Sequence, residues 1–181
     1  MRAFLAIEIP DDLKKYLYDV ITRMAARAKG IRWVRQEQLH VTLKFLGQID
    51  QETALRIRQS ISFIGADYKP FTASIKGIGA FPNRRRARVV MADLEEGAAT
   101  IKEIFDDMEI GLSTLDIESE AREFTPHITL GRAKIPGPLL DRDIEPLERR
   151  QFPVERVVLF ESTLKKEGAV YTPQWDIKLG G

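Results

Sequence analysis

The sequence predicts an α+β fold in which mostly antiparallel strands carry helices on their outer side. Short apolar segments with a two-residue period alternate along the chain with segments of helical period. The order strand, acidic turn, helix and then His-apolar-Thr-Leu occurs twice, ending at residues 40–43 and at residues 127–130. Because a duplicated unit builds two similar halves, we expect one bilobal domain over residues 1–181, with two sheet lobes and a central cleft.

The first half of the chain is divided by clear start and stop signals. Pro10 ends an apolar, β-prone segment, and Asp11 and Asp12 lie where a helix N-terminus favours carboxylates. Apolar residues then recur at helical spacing until Gly30. The predicted elements are, in order, a strand at 2–9, a helix at 11–30, strands at 31–34 and 40–46, and a helix at 50–64.

The second half repeats this organisation and adds strands at its end. Glu95 and Glu96 precede a helix in the same way as the two aspartates of the first half. The predicted elements are strands at 71–81 and 87–94, a helix at 96–112, a loop at 113–123, a strand at 127–132, a short helix from 139, and strands at 152–161 and 170–179.

Composition excludes several classes of function. The chain has no cysteine, two histidines and a net charge of +1, so disulfides, thiol nucleophiles and a global field for polyanions are excluded. Zinc would depend on two histidines and carboxylates, and we expect no metal and no other cofactor. No apolar segment is long enough to span a bilayer, and no signal peptide is recognised. We therefore expect a cytoplasmic, monomeric protein that does not interact with membranes.

The two histidines are the candidate catalytic residues. Residues two apart on a strand point the same way, so His40 is expected beside Thr42, and His127 beside Thr129. Imidazole gives and takes protons near neutral pH, and two imidazoles can act as acid and base. Threonine hydroxyls can donate to anionic oxygens. A facing pair of such motifs is typical of phosphodiester cleavage, although a single histidine or threonine on a strand is more often structural.

Nearby basic residues are further candidates for binding phosphate. Strict alternation places Lys44 on the His40 face, where it would contribute charge, and places Phe45 on the opposite face, in the core. The densest basic segment is residues 84–88, and Arg86 in it is a candidate for holding RNA phosphates away from the reacting one. A solvated surface loop is the alternative for that segment.

These residues resemble the 2H phosphoesterase superfamily. The resemblance rests on residues 32–34, on His-Val-Thr-Leu-Lys-Phe-Leu-Gly at 40–47, and on Phe-Thr-Pro-His-Ile-Thr-Leu-Gly-Arg at 124–132. Residues 1–7 and 79–82 add similarity to the RNA 2′,3′-cyclic phosphodiesterases, also called 2′-5′ RNA ligases. The resemblance covers nearly the whole chain.

The resemblance implies a metal-free hydrolase. Water would attack the cyclic phosphate at an RNA end, such as that of a tRNA fragment, and leave a 2′-phosphomonoester. It makes His40 the proton donor and His127 the proton acceptor, with Thr42 and Thr129 binding phosphate, and it implies that the site can also join RNA ends through a 2′-5′ linkage.

The resemblance also makes Arg132 a residue that assists at the phosphate. Strict alternation instead places Arg132 on the face opposite His127, so this arginine reaches the site only if the strand bends near Gly131.

The sequence is also consistent with other functions. The same chemistry would serve a small cyclic nucleotide, ADP-ribose cyclic phosphate or a 2′-5′ oligonucleotide. A noncatalytic RNA-binding module would instead use aromatic sheet faces and would bind without its histidines. A purely structural protein leaves the paired motifs unexplained.

Overall fold

The computed structural model describes residues 1–181 as nine β-strands and four α-helices. The first half contains β1 (Arg2–Glu8), α1 (Asp11–Arg27), β2 (Ile31–Trp33), β3 (His40–Gln48), α2 (Gln51–Ser60) and α3 (Phe63–Asp67). The second half contains β4 (Phe71–Phe81), β5 (Ala87–Leu94), α4 (Ala98–Leu112), β6 (His127–Gly137), β7 (Arg150–Val154), β8 (Arg156–Lys165) and β9 (Gly168–Lys178). None of the helices combines the length and the apolar character needed to cross a membrane.

The strands form one sheet in which every pairing is antiparallel, so the predicted α+β class is confirmed. The strand order is β7-β4-β5-β6-β3-β1-β8-β9, and β2 also pairs with β6. β3 meets β6 through the single registered pair Val41 and Ile128, whereas β2 pairs with β6 at residues 131–133. The predicted division into two lobes stays a prediction.

The internal repeat is visible in the strand pairing. In the first unit, β1 and β3 pair so that Glu8 faces His40 across the ladder. In the second unit, β5 and β6 pair so that Asp93 faces His127. A helix connects the strands in each unit, α1 in the first and α4 in the second. The two units therefore present their motifs in the same backbone setting.

The main core lies between one face of the sheet and the helices. A cluster of 37 buried residues joins the apolar faces of α1 and α4 to inward residues of the strands, including Val41 and Ile128. On the other face, Phe4, Ala6 and two residues of β8 form a cluster of four. The helices therefore cover one face and leave the histidine face open.

The strand expected at 127–132 continues to Gly137 as β6, and three other predicted elements differ in number or kind. The helix expected at 50–64 ends at Ser60 and restarts at Phe63, giving α2 and α3. The strand expected at 152–161 is two strands separated at Glu155, because β7 pairs with β4 and β8 pairs with β1 in a different part of the sheet. The short helix expected from residue 139 is only a 3₁₀ turn at Asp141–Asp143.

The predicted orientation of Lys44 is wrong. Thr42 pairs with Ala6 and Lys44 pairs with Leu5, so Leu43 is an extra residue that forms a β-bulge. The bulge turns Lys44 away from the His40 face, and its side chain is buried. The Lys44 ammonium lies 2.6 Å from a carboxylate oxygen of Glu109 on α4.

The Lys44–Glu109 ion pair also fastens the loop that follows α4. The Lys44 ammonium donates to the Glu118 carbonyl at 2.8 Å. The second carboxylate oxygen of Glu109 accepts from the Glu120 backbone N–H at 3.0 Å. Sheet, helix and loop are thus held together by one buried charge pair.

We predict that Glu109→Gln destabilises the protein by about 3 kcal/mol, because loss of one partner leaves a buried charge uncompensated. Urea denaturation followed by circular dichroism measures this free energy of unfolding. Glu103→Gln, an exposed carboxylate on the same helix, is the matched control and should change stability by less than about 0.5 kcal/mol. Equal effects of the two variants would contradict a structural role for the ion pair.

Candidate active site

The two predicted motifs lie side by side at the junction of β3 and β6. Val41 and Ile128 face each other across the ladder, and both side chains are fully buried. Their neighbours must therefore point to the opposite, open face. When this antiparallel register is continued by one residue, His40 lies across from Thr129 and Thr42 across from His127. The structure thus brings all four predicted motif residues together on one surface.

Both imidazoles are held by the same type of hydrogen bond. Nδ1 of His40 lies 2.6 Å from the Gln38 carbonyl oxygen, and Nδ1 of His127 lies 2.7 Å from the Thr125 carbonyl oxygen. Because a carbonyl oxygen only accepts, each Nδ1 carries a hydrogen. This leaves each Nε2 for exchange of protons, and Nε2 of His40 lies 2.8 Å from the Thr42 hydroxyl.

His40 is enclosed by aromatic rings. Phe4 stacks on the imidazole at 5.0 Å between centroids, and Tyr171 meets it edge-on at 5.4 Å. Burial lowers the pKa of His40 from its usual 6.5 to about 4, the Gln38 carbonyl opposes this shift, and positive charge from Lys14, His127 and Arg132 adds to it. His40 is therefore neutral at neutral pH.

Arg132 reaches the histidine face through a β-bulge. Thr129 pairs with Met91 and Gly131 pairs with Val90, so Leu130 is an extra residue in β6. Leu130 and Gly131 are both buried, and Arg132 is exposed. The bend that the resemblance required near Gly131 is present, and Arg132 lines the same cleft as His127 and Thr129.

Gly131 is required at this bend by close packing. A Cβ at this position would lie 2.6 Å from Cγ2 of Ile31 and 2.9 Å from Cε3 of Trp33. Both distances are shorter than any normal carbon–carbon contact, so β2 can approach β6 only because residue 131 lacks a side chain.

The bulge at Leu43 has a second consequence, which strict alternation missed. It turns Phe45, expected in the core, onto the histidine face, where 63% of its surface is exposed. Phe45 lines the cleft and lies 6.0 Å from Phe4 between ring centroids. Phe45 in β3 therefore corresponds to Arg132 in β6, each two residues after the bulged leucine. One feature of the sequence could have predicted this orientation of Phe45. The resemblance implied a bend in β6, and β3 is the matching strand of the repeat.

The cleft beside the motifs has a volume of about 430 Å³. Of the predicted site residues, Thr42, Lys44, His127, Thr129 and Arg132 line the cleft, whereas His40 lies outside its lining. The other lining residues are Leu43, Phe45, Ala80, Phe81, Val89, Met91, Asp93, Glu120, Arg122, Glu123, Phe124 and Thr125. No group of three His, Cys, Asp or Glu side chains is arranged to hold a metal ion.

Asp93 is the titratable residue of the cleft that faces His127. Burial raises the pKa of the Asp93 carboxyl, and the nearby His127, Lys76 and Arg84 side chains oppose that rise. The carboxylate lies over Gly79, where a Cβ would be only 2.5 Å from Oδ2 of Asp93. The glycine in β4 therefore provides the space that this carboxylate occupies.

Arg86 is not brought into the cleft. It lies in a 3₁₀ turn at Arg84–Arg86, between β4 and β5, and is exposed. Its neighbour Arg84 is engaged with the Asp141 carboxylate at 3.2 Å and with the Ile78 carbonyl at 3.1 Å. The basic segment thus supports the β4–β5 turn, and Arg86 is absent from the lining of the cleft.

The assembled groups can hold an anion and move protons on either side of it. Two imidazoles present Nε2, while two threonine hydroxyls and the Arg132 guanidinium can donate hydrogen bonds to anionic oxygens. Such fixed donors stabilise charge that develops on a phosphoryl group.

Comparisons with known proteins show the family to which the chain belongs. The family model described as "LigT like Phosphoesterase" matches residues 7–91 and 93–171, so each matched segment holds one motif. An RNA 2′,3′-cyclic phosphodiesterase of Methanocaldococcus jannaschii is 32% identical over 94% of this chain and 96% of its own length. One of Thermus thermophilus is 33% identical over 95% of this chain and 87% of its own length.

Solved structures share the fold. A crystal structure of a Thermus thermophilus protein superposes with a TM-score of 0.85 and 31% identity, covering 100% of this chain and 99% of the other. Escherichia coli LigT, solved with 3′-AMP, gives a TM-score of 0.81 at 21% identity, covering 99% and 98%, which shows likeness of fold. With the paired motifs and the family match over both halves of the chain, these likenesses show that the protein belongs to the LigT-like phosphoesterase family.

Proposed function

We propose that the protein hydrolyses the 2′,3′-cyclic phosphate at RNA ends to a 2′-phosphomonoester, with His40 and His127 as the catalytic pair and no metal. The observation that carries the proposal is the arrangement of two histidines and two threonines around the Val41–Ile128 pair. The family and the names of the relatives support the reaction class.

The proposed reaction needs one proton transfer at each histidine. A water molecule gives its proton to Nε2 of His127 as its oxygen forms a bond to phosphorus. The bond from phosphorus to O3′ breaks, and O3′ takes a proton from Nε2 of His40. Thr42, Thr129 and Arg132 hold the nonbridging oxygens as negative charge grows there.

The state of His40 sets a condition for this assignment. A proton donor must begin protonated, whereas burial lowers the pKa of His40 to about 4. An anionic phosphate beside the ring favours the imidazolium and raises this pKa. Substrate binding thus charges the donor that the reaction requires.

The same site also supports ligation. If the 5′-hydroxyl of a second RNA occupies the position of the water, the same proton transfers give a 2′-5′ phosphodiester. His127 then takes the proton of that hydroxyl, and His40 again protonates O3′.

Phe45 supports a nucleic-acid substrate. Its ring is exposed beside Thr42 and is backed by Phe4, which in turn stacks on Phe160 at 5.5 Å between centroids. An aromatic ring fixed next to a phosphate site can stack on a nucleobase of any sequence. We propose that Phe45 receives the base of the terminal nucleotide.

We predict that His40→Ala and His127→Ala each lower kcat by about a thousandfold, because each removes a general acid or base. The assay is hydrolysis of a short RNA with a 2′,3′-cyclic phosphate end in excess EDTA, with the 2′- and 3′-monophosphate products separated. Thr163→Val on β8 is a folding and handling control, since this exposed threonine lies outside the cleft. An inert wild type, or full activity in both histidine variants, would contradict the proposal.

We predict that an inert phosphodiester raises the pKa of His40, which lies near 4 in the free protein. Thymidine 3′-methylphosphate is suitable, since it lacks the attacking 2′-hydroxyl and neither its base nor its phosphodiester titrates in this range. Binding then takes up a proton, so affinity for the diester falls as pH rises from about 4 toward the pKa of the complex. Nuclear magnetic resonance of the imidazole C–H groups measures the midpoints, and His127→Ala assigns them. A His40 midpoint that does not move would make His40 the base instead of the donor.

We predict that Phe45→Ala raises KM for a cyclic-phosphate RNA about tenfold with a smaller change in kcat, because base stacking on an aromatic ring is lost. Phe45→Trp should retain the wild-type KM. Ile110→Ala, which removes another exposed apolar side chain, on α4, is the control. A KM that is the same in Phe45→Ala and Ile110→Ala would exclude the stacking role.

A further inference from the structure

Two arginines face each other directly across β2 and β6. The register of these strands pairs Ile31 with Ala133, Arg32 with Arg132, and Trp33 with Gly131. Residues directly opposite in an antiparallel pair have Cβ atoms about 5 Å apart, and like charges in such a position repel each other. This unfavourable pairing therefore indicates that the two guanidinium groups have a function.

Arg32 lies on the histidine face of the sheet. Its neighbours Ile31 and Trp33 pack toward Gly131 and the main core. Because strand residues alternate, Arg32 points the other way, as its partner Arg132 does. Arg132 lines the cleft with Thr129, and Arg32, which is not itself a lining residue, lies directly beside Arg132 on the next strand.

Neither guanidinium is neutralised by the protein. Both arginines are exposed, and neither forms an ion pair or a side-chain hydrogen bond. Arg156, another arginine of the sheet, shows the contrast, because it lies 2.7 Å from the Glu8 carboxylate and 3.6 Å from that of Asp176. Two opposed guanidinium groups that have no counter-charge from the protein are suited to binding two phosphate groups, one at each arginine.

We propose that Arg32 binds the phosphate on the 5′ side of the terminal nucleoside while Arg132 contacts the reacting cyclic phosphate. This proposal rests on the proposed function and names its substrate class: RNA ends that carry a 5′ phosphodiester, in preference to free nucleoside 2′,3′-cyclic phosphates. Guanidinium suits this role because its planar set of donors matches phosphate oxygens and stays charged.

The geometry also gives the bound strand a direction. Phe45 lies two residues beyond one bulge and Arg132 two residues beyond the other, on strands that run in opposite directions. An aromatic end and a cationic end therefore flank the histidines on opposite sides. The terminal base is placed at the Phe45 end, and the preceding phosphate at the Arg32 end.

The test compares three substrates that differ only on the 5′ side: uridine 2′,3′-cyclic phosphate, the same compound with a 5′-phosphate, and the dinucleotide UpU with a 2′,3′-cyclic phosphate. We expect wild type to prefer the second and third over the first. Arg32→Gln should lower kcat/KM about tenfold for those two and leave the first unchanged. Arg32→Lys should retain part of the preference.

Arg58→Gln is the matched control, because Arg58 is an exposed arginine on α2, which takes no part in the pairing of β2 with β6. Raising the salt concentration should weaken the wild-type preference, and Arg32→Gln should reduce that salt dependence. Equal loss on all three substrates would place Arg32 at the reacting phosphate and overturn the subsite. No preference in wild type would overturn it as well.

Failure of the proposed function gives a different result. If wild type hydrolyses none of the three compounds, the proposed function fails. The subsite is then tested separately by measuring ligand affinities with isothermal titration calorimetry. The ligands are then uridine 2′-monophosphate and uridine 2′,5′-bisphosphate. Tighter binding of the bisphosphate that is lost in Arg32→Gln supports the subsite, and equal affinities overturn it.

Discussion

The antiparallel pair of Val41 and Ile128 is the contact on which the site depends. It is the one registered pair between β3 and β6, and both side chains are fully buried in the main core. Because a strand alternates its faces, burial of these two residues directs both histidines and both threonines to the open side. A slip of one residue would send the imidazoles into the core, so hydrophobic packing selects the register that the chemistry needs.

The two bulges then give a duplicated backbone an asymmetric surface. Each follows a motif threonine, at Leu43 in β3 and at Leu130 in β6. The residues that the bulges turn inward are Lys44 and Gly131, and those turned outward are Phe45 and Arg132. The buried lysine fastens a loop, the glycine admits β2, and the cleft gains one aromatic and one cationic end. A similar fold of both halves thus supports different contacts at each end.

The electrostatic settings of the two histidines also differ. His40 lies among aromatic rings and near positive charges, which lower its pKa, and its ladder partner Glu8 is paired with Arg156. His127 faces Asp93, a half-buried carboxylate without an ion-pair partner. The repeat places a carboxylate beside each imidazole, and Arg156 neutralises only one of them.

The sequence by itself determined the fold class, most elements, the repeat and the four motif residues, because alternation and helical period are local properties of the chain. Alternation placed Arg132 on the face opposite His127, and only the family resemblance implied the bend near Gly131 that the structure has. The sequence did not determine which side of β3 Lys44 and Phe45 occupy, or that residues 152–161 form two strands. Nor did the sequence predict that Arg32 lies opposite Arg132, or that Asp93 lies opposite His127. Only the tertiary structure decided these points, since bulges and strand partners depend on pairing between segments far apart in the chain.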